Sequence, residues 1–516
     1  MACLLRDFQQ HCLKTLSRSK KRILHIDPND YYGEHEAAFS LQEAESWVAA
    51  NVGDDGETGS ENSIFREASI WKHDEATALG LSFPRAYALA LAPQIIHSRS
   101  KLLEQLVSSK AFRQVEFLAV GSFFVYDDAV TAEPGATDPN AAKLTRIPSS
   151  REDVFSAKTI PTKAKRSLMK FLKFVVEYNS EEHTPVWESQ AKQPLADFLT
   201  SEFKLDETLR KYILALTLTL DDAINVEDGL AAIHRHLSSM GLFGPDFCAV
   251  YPKWGGLSEI AQVACRAGAV GGGIYMLGTG MQVEDGTNGD GRASLKLSND
   301  ITVQTSTIIS SQQKVSKNEQ AIDRLVAVIN SPLRSLFEPV LEGAPTPAVV
   351  VVAFPSGSIT TQDASPSTNP VYASVHSSDT GECPSGQGAI YLTTSASPTS
   401  QRILERALES LLQVVTSADE TPPVALFKLR YVQSVGDNQQ ASMSTTTQGG
   451  DDGSGSGASL FSFPPPSLGL AFDDGCLDAV KAAWKLVVKD EGLGDEYMVF
   501  EDREGVGDDA DDVYDD

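Results

Sequence analysis

Residues Arg22 to Gly33 read RILHIDPNDYYG, and the order of their parts decides how the rest of the chain is read. Ile23, Leu24 and Ile26 form a short apolar run, Asp27 stands at its end, and Pro28, Asn29, Asp30 and Gly33 supply turn chemistry. This is the pattern of the second strand of a dinucleotide-binding unit, in which the terminal acid reaches a ribose. In such units a glycine-rich turn comes about 20 residues earlier and lets backbone N–H groups approach a diphosphate. Upstream of Arg22 there is only MACLLRDFQQHCLKTLSRSKK, without a glycine. The strand has therefore lost its nucleotide role, or the chain starts late; we expect a late start, with the first strand missing.

Working outward, 516 residues with 41% hydrophobic content predict two packed domains. Seventy acidic against 43 basic side chains give a net charge of -27, which repels nucleic-acid phosphate, so no nucleic-acid partner is expected. The six cysteines, Cys3, Cys12, Cys248, Cys265, Cys383 and Cys476, show no CxxC spacing, which argues against a zinc ribbon and a disulfide framework and for a reducing, cytosolic compartment. The run PAVVVVAF, Pro347 to Phe354, is far shorter than the roughly 18 apolar residues of a membrane-spanning helix.

From residue 156 to 245 the apolar period is helical, in KAKRSLMKFLKFVVEY, PLADFLTSEF, ETLRKYILALTLTL and VEDGLAAIHRHLSSMGLF. Strand patterns flank this block: ITVQTSTIIS at Ile301, AVVVVAF at Ala348, VYASVH at Val371, GAIYLTTS at Gly388 and ALFKLRYV at Ala425. We therefore expect a discontinuous α/β domain built from residues 1–155 and 246–435, with an all-α insert at 156–245. Residues 436–516 read as a low-complexity linker, a short amphipathic helix carrying Leu477, Val480, Trp484 and Val487 on one face, and an acidic tail. Disorder is expected over 436–475 and 501–516, and the polar stretch Asn51 to Ser63 reads as a mobile, solvated loop.

In YPKWGGLSEIAQVACRAGAVGGGIYML, Tyr251 to Leu277, Ser258 is the expected cap of a helix whose buried stripe is Ile260, Val263, Ala264 and Ala267. Glu259, Gln262 and Arg266 then share the opposite face, where an intrahelical pair is the plain alternative to a functional role. His234 and His236, two apart on a helix, point to different sides and make poor joint metal ligands. The GSGSG run at Gly453 lies in the linker and reads as a spacer. No catalytic, metal or cofactor motif is recognisable, so none of these is expected.

RILHIDPNDYYG and YPKWGGLSEIAQVACRAGAVGGGIYML together resemble two blocks of the Rab escort and Rab GDP-dissociation inhibitor family, and VYASVHSSDTGECPSGQGAIYLTT, Val371 to Thr394, resembles the escort branch. The likeness extends less specifically over about residues 17 to 435. It implies an α/β large domain with the fold of flavin oxidoreductases but no cofactor, and no catalytic activity of its own. It further implies an accessory role with the catalytic heterodimer of Rab geranylgeranyltransferase, binding of GDP-bound Rab GTPases and their geranylgeranyl lipid, and transient membrane contact. By the same resemblance, Tyr32, Glu259, Arg266 and Met276 form the Rab platform, and the helical insert bears the lipid and transferase side. A recycling GDP-dissociation inhibitor and a flavin-dependent amine-oxidase-like enzyme are the alternatives.

Overall fold

The structure is a computed structural model. It describes residues 2–4, 21–51, 64–127, 142–148, 151–156, 160–221, 223–287, 292–311, 321–339, 343–361, 365–416, 421–434, 442–446, 458–465, 467, 469–488 and 497–500. Two large sheets organise it. The first has six strands, in the order Ile274–Met276, Leu24–Ile26, Ala2–Leu4, Thr307–Ser310, Ala458–Ser462 and Ser442–Thr446. All neighbours are parallel except the last pair.

This sheet corrects two expectations. A first strand is present: Ala2–Leu4 runs between Leu24–Ile26 and Thr307–Ser310. The sequence reading missed it because ACL is too short to show a period. The stretch read as a disordered linker supplies two strands, with Ile308 opposite Leu460 and Ser444 also opposite Leu460. Ladder hydrogen bonds are made by the backbone, so a Ser- and Thr-rich composition does not forbid them. The GSGSG run, most of the loop from 51 to 63 and the tail 501–516 lie outside the described residues.

The second sheet follows the order Phe65–Lys72, Ala425–Ser434, Ala321–Ile329, Gly388–Ser395, Val371–Ser377, Val349–Phe354, Phe117–Asp127, Ala249–Pro252 and Ile96–His97, with Lys143–Arg146 pairing onto Phe117–Asp127. Its strands come from both sides of the helical block. Leu24–Ile26 and Ala425–Ser434, read from the sequence as parts of one domain, stand in different sheets. ITVQTSTIIS also divides: Thr302–Thr305 joins a three-stranded antiparallel sheet, and Thr307–Ser310 joins the parallel one.

The four long helices of the block are Thr162–Val176, Leu195–Phe203, Glu207–Thr217 and Val226–Ser239. Asp206 and Asn225 cap the last two by accepting the N–H of Leu209 and Asp228, at 2.9 Å each. Buried side chains recur every three or four positions, as in Leu168, Phe171 and Val175, or Val226, Leu230 and Ile233. They share one cluster with Val120, Phe123, Val349 and Tyr251 of the second sheet, so the block is packed on a sheet face. The helix Ser400–Val414 covers the other face through Ile403, Leu404, Leu408 and Leu411. Gly475–Val488 packs Val480, Trp484 and Val487 against Ile23, Ile309 and Phe461 of the first sheet. No helix among the described residues is long and apolar enough to cross a membrane.

Candidate functional site

The helix Leu257–Val270 opens from a tight turn at Trp254, Gly255 and Gly256, all with positive φ. Its N-cap is Gly256, not Ser258, whose hydroxyl donates back to the Gly255 carbonyl at 2.9 Å. A serine cap would need extended backbone, and the turn arrives left-handed. Gly256 is required twice over, because its φ is 67° and a Cβ there would lie 2.5 Å from the Tyr251 hydroxyl.

Beneath this turn lies a buried polar cluster. Glu382 accepts from the hydroxyls of Tyr251 at 2.7 Å, Tyr391 at 3.0 Å and Thr380 at 3.5 Å, and meets His376 Nδ1 at 2.6 Å. His376 Nε2 meets the Ser374 hydroxyl at 2.8 Å. Burial, reinforced by the Glu382 carboxylate, holds both phenols well above their ordinary range. The Trp254 N–H donates to the Thr380 carbonyl at 2.8 Å, so the loop Ser377 to Glu382 fixes the entry to the helix. The block that resembles the escort branch is thus the seat of the block that carries the helix Leu257–Val270.

The DPNDYYG turn is anchored at both ends. Asp27 Oδ1 accepts the Asn29 N–H at 2.9 Å, and Asp27 donates its own N–H to the Met276 carbonyl at 2.9 Å. Gly278 and Thr279 donate to the carbonyls of Asn29 and Asp27 at 2.8 Å. The two tyrosines divide: Tyr31 points inward, against the Phe39 ring at 5.0 Å and accepting from Trp47 Nε1 at 3.1 Å. Tyr32 is half-buried, edge-on to Tyr275 with centroids 6.5 Å apart. Burial raises its phenol first, then the nearby Cys265 and Asp27. Tyr275 also reaches the helix, since a Cβ on Gly268 would sit 2.0 Å from its hydroxyl.

The structure thus joins three of the four proposed platform positions through their elements: Tyr32 on the turn, Arg266 on the helix next to Cys265, and Met276 on the edge strand beside Tyr275. Arg266 is exposed, and Glu259 is half-buried, with its carboxyl raised by burial. No ion pair joins them; seven residues of helix separate them by about 10 Å along the axis. The intrahelical-pair alternative therefore has no contact behind it, and Glu259 lies at the far end of the face. Met276 is half-buried against Ile26, Leu297 and Met281, which makes it as much a packing residue as a surface one. Sequence reasoning missed exposed Val270 and Ile274, which add an apolar margin at 76% and 63% exposure. Their positions just after the buried helical stripe were the available signal.

The oxidoreductase-like layout invites a dinucleotide, but the residues do not fit one. No glycine lies between the strands Ala2–Leu4 and Leu24–Ile26, where the diphosphate turn would stand, and the fully buried Asp27 carboxylate is engaged inside its own turn through Oδ1.

The family model described as GDP dissociation inhibitor matches residues 52–339, more than half of the chain. A Saccharomyces cerevisiae protein named Rab proteins geranylgeranyltransferase component A is 27% identical over 75% of this chain. The chain spans only 60% of that relative's length. A solved Rab GDI from Plasmodium falciparum aligns over 94% of this chain and 97% of its own, with a TM-score of 0.61 at 16% identity. An oxidoreductase from Methanosarcina mazei aligns over 94% and 99% with a TM-score of 0.53 at 13% identity. Both structural likenesses speak for the fold.

Proposed function

From the premise that this chain belongs to the GDP dissociation inhibitor family, we propose that it is a Rab escort protein. It binds newly made, GDP-bound Rab GTPases, presents them to the catalytic heterodimer of Rab geranylgeranyltransferase, and delivers the lipidated product to membranes. The observation that carries this reading is the joined construction of the site: a loop of the escort-like block seats the turn that opens the helix Leu257–Val270, whose Arg266 is exposed and whose Cys265 stands near Tyr32. The relatives named component A supply the direction. The protein's role is accessory, and the reaction belongs to the transferase.

Division of labour follows the architecture. The α/β part, residues 1–155 and 246–435, carries the platform of Tyr32, Glu259, Arg266 and Met276, and residues 156–245 take the lipid and transferase side. A geranylgeranyl chain gains about 0.8 kcal/mol per buried CH₂, so an unescorted product would aggregate or partition. The carrier therefore needs an apolar shelter as well as a docking face.

Reconstituted prenylation tests the proposal. Addition of this protein to transferase, lipid donor and GDP-loaded Rab should switch modification on; equal rates without it would sink the escort role. The second reading, a recycling GDP-dissociation inhibitor, has the family name behind it and predicts extraction of prenylated Rab from membranes with no binding to the transferase. A flavin-dependent reading has only the fold behind it, and purified protein carrying stoichiometric flavin absorbance would revive it.

At the platform, Arg266→Ala and Tyr32→Ala should each weaken binding of GDP-loaded Rab by about 2 kcal/mol, the scale of an interface anchor. Stability should move by no more than about 0.5 kcal/mol for exposed Arg266. Titration and denaturant melts on the same variants decide; unchanged affinity would remove these residues from the platform.

A further inference from the structure

His97, His236 and Cys248 come from three elements and are 139 and 12 residues apart in the chain, yet their ligating atoms all lie within 4.8 Å of one another. His97 ends the edge strand Ile96–His97, and His236 is on the helix Val226–Ser239. Cys248 directly precedes the strand Ala249–Pro252, and its carbonyl accepts the Ser98 N–H at 2.9 Å. All three side chains are buried, and Cys248 is a free thiol.

Two features make this more than core packing. Cys248 Sγ and His236 Nδ1 are already 3.5 Å apart. Both ring nitrogens of His97 are buried without a hydrogen-bond partner, although its ring stands only 5.8 Å from that of His236. An imidazole is not kept in that condition without cost, since a buried donor or acceptor loses its hydration and gains nothing in return. A bound cation at the centre would engage one of the two nitrogens. In a trigonal site with metal–donor bonds of about 2.0–2.3 Å, the donors lie about 3.5–4 Å apart, so the cluster needs only a small contraction.

We propose that His97, His236 and Cys248 form a three-coordinate site for one soft d¹⁰ cation, Cu(I) in preference to Zn(II). Softness follows from the thiolate, and imidazole suits either metal. Charge separates them. On binding, the Cys248 thiol releases its proton to solvent and the S–metal bond takes its place. Cu(I) with one thiolate and two neutral imidazoles is then neutral, whereas Zn(II) leaves a net positive charge in the interior. Arg235, next to His236 and donating to the Phe472 carbonyl at 3.3 Å, makes a further positive charge there unfavourable. A cavity of about 20 Å³ bounded by Phe123, Met240, Asp246 and Cys248 adjoins the cluster and has room for one water. That water would be the fourth ligand if Zn(II) bound instead.

The ion would tie the last long helix of the helical block to two strands of the second sheet, at the place where the chain leaves that block. Its binding therefore stiffens the join between the two parts. This inference is independent of Rab binding.

The test uses the full chain, reduced and under anaerobic conditions, titrated with Cu(I) against a chelator of known affinity and separately with Zn(II). The expected result is one copper per chain, a raised melting temperature, and X-ray absorption showing one sulfur and two imidazole nitrogens around the metal. Cys248→Ser and His97→Phe, each first shown to melt cooperatively without metal, should weaken Cu(I) by roughly 100-fold or more, the upper end of what even second-shell changes cost. Should a variant fail to fold, the absorption spectrum of the unaltered protein decides. The proposal is overturned if the parent retains no copper, if copper sits on sulfurs alone, if Cys248→Ser binds as tightly as the parent, or if Zn(II) outcompetes Cu(I) at these residues.

Discussion

Glu382→Leu is expected to cost about 3–5 kcal/mol of folding stability, a large share of the roughly 5–15 kcal/mol that holds a typical protein folded. The carboxylate is fully buried and engages four side chains: Tyr251 at 2.7 Å, His376 at 2.6 Å, Tyr391 at 3.0 Å and, more weakly, the Thr380 hydroxyl at 3.5 Å. Leucine removes the acceptor and leaves two phenols and an imidazole in a dry interior, each carrying a desolvation penalty of about 1–3 kcal/mol, partly recovered by relaxation. Glu382→Gln keeps one acceptor oxygen and should cost distinctly less. Because the same loop holds Trp254 and the start of Leu257–Val270, the proposed platform further requires that the leucine variant bind Rab more weakly than its residual folded fraction explains. Denaturant midpoints at constant m-value measure the first effect and titration the second. A loss below about 1 kcal/mol would mean that the cluster is not held by Glu382.

Acidification should act through His25. Its side chain is buried beside the Tyr275 ring at 5.0 Å, with neither ring nitrogen hydrogen-bonded. Burial lowers its pKa from 6.5 to about 4. The unfolded chain takes up this proton first, so the stability gained by keeping the ring neutral is complete above about pH 6.5 and is lost as the pH falls towards 4. The slope is about 1.4 kcal/mol per pH unit and the total about 3 kcal/mol. His25→Leu removes the titration, so the stability difference between parent and variant should change with that slope between pH 6.5 and 4.5, to the variant's advantage in acid. Parallel curves across that window would show that His25 is solvated in the folded protein.

What the sequence disclosed follows from the range of the interactions involved. The helices around Phe171, Leu199, Ile213 and Leu230 were legible because a buried stripe repeats within one turn. The apolar strand Val349–Phe354 was legible because it is buried on both faces, at the centre of a sheet. Ser258 has the residue type of a cap, but the left-handed Gly255–Gly256 turn before it, which carries no periodic signal, places the cap at Gly256. Tyr32 was found through motif likeness, but that Tyr31 faces inward depends on Phe39 and Trp47, which no local rule predicts. His97, His236 and Cys248 were invisible as a group, because their spacing in the chain is unrelated to their spacing in the fold.

The arrangement of the parallel sheet sets a timetable for synthesis. Ala2–Leu4, which leaves the ribosome before the other described strands of its sheet, lies between Leu24–Ile26 and Thr307–Ser310, and the sheet is extended by Ala458–Ser462 and roofed by Gly475–Val488. At about 5–20 residues per second, roughly 25–100 s pass between the emergence of that strand and of the helix that covers its sheet. For most of that interval Ile23, and from its own synthesis onward Ile309, wait for their partners Phe461, Val480 and Trp484. The nascent chain is thus itself a client in need of protection, with apolar strand edges open until the helix Gly475–Val488 is made. Conditions that slow elongation should lower the yield of folded protein more than its equilibrium stability would suggest.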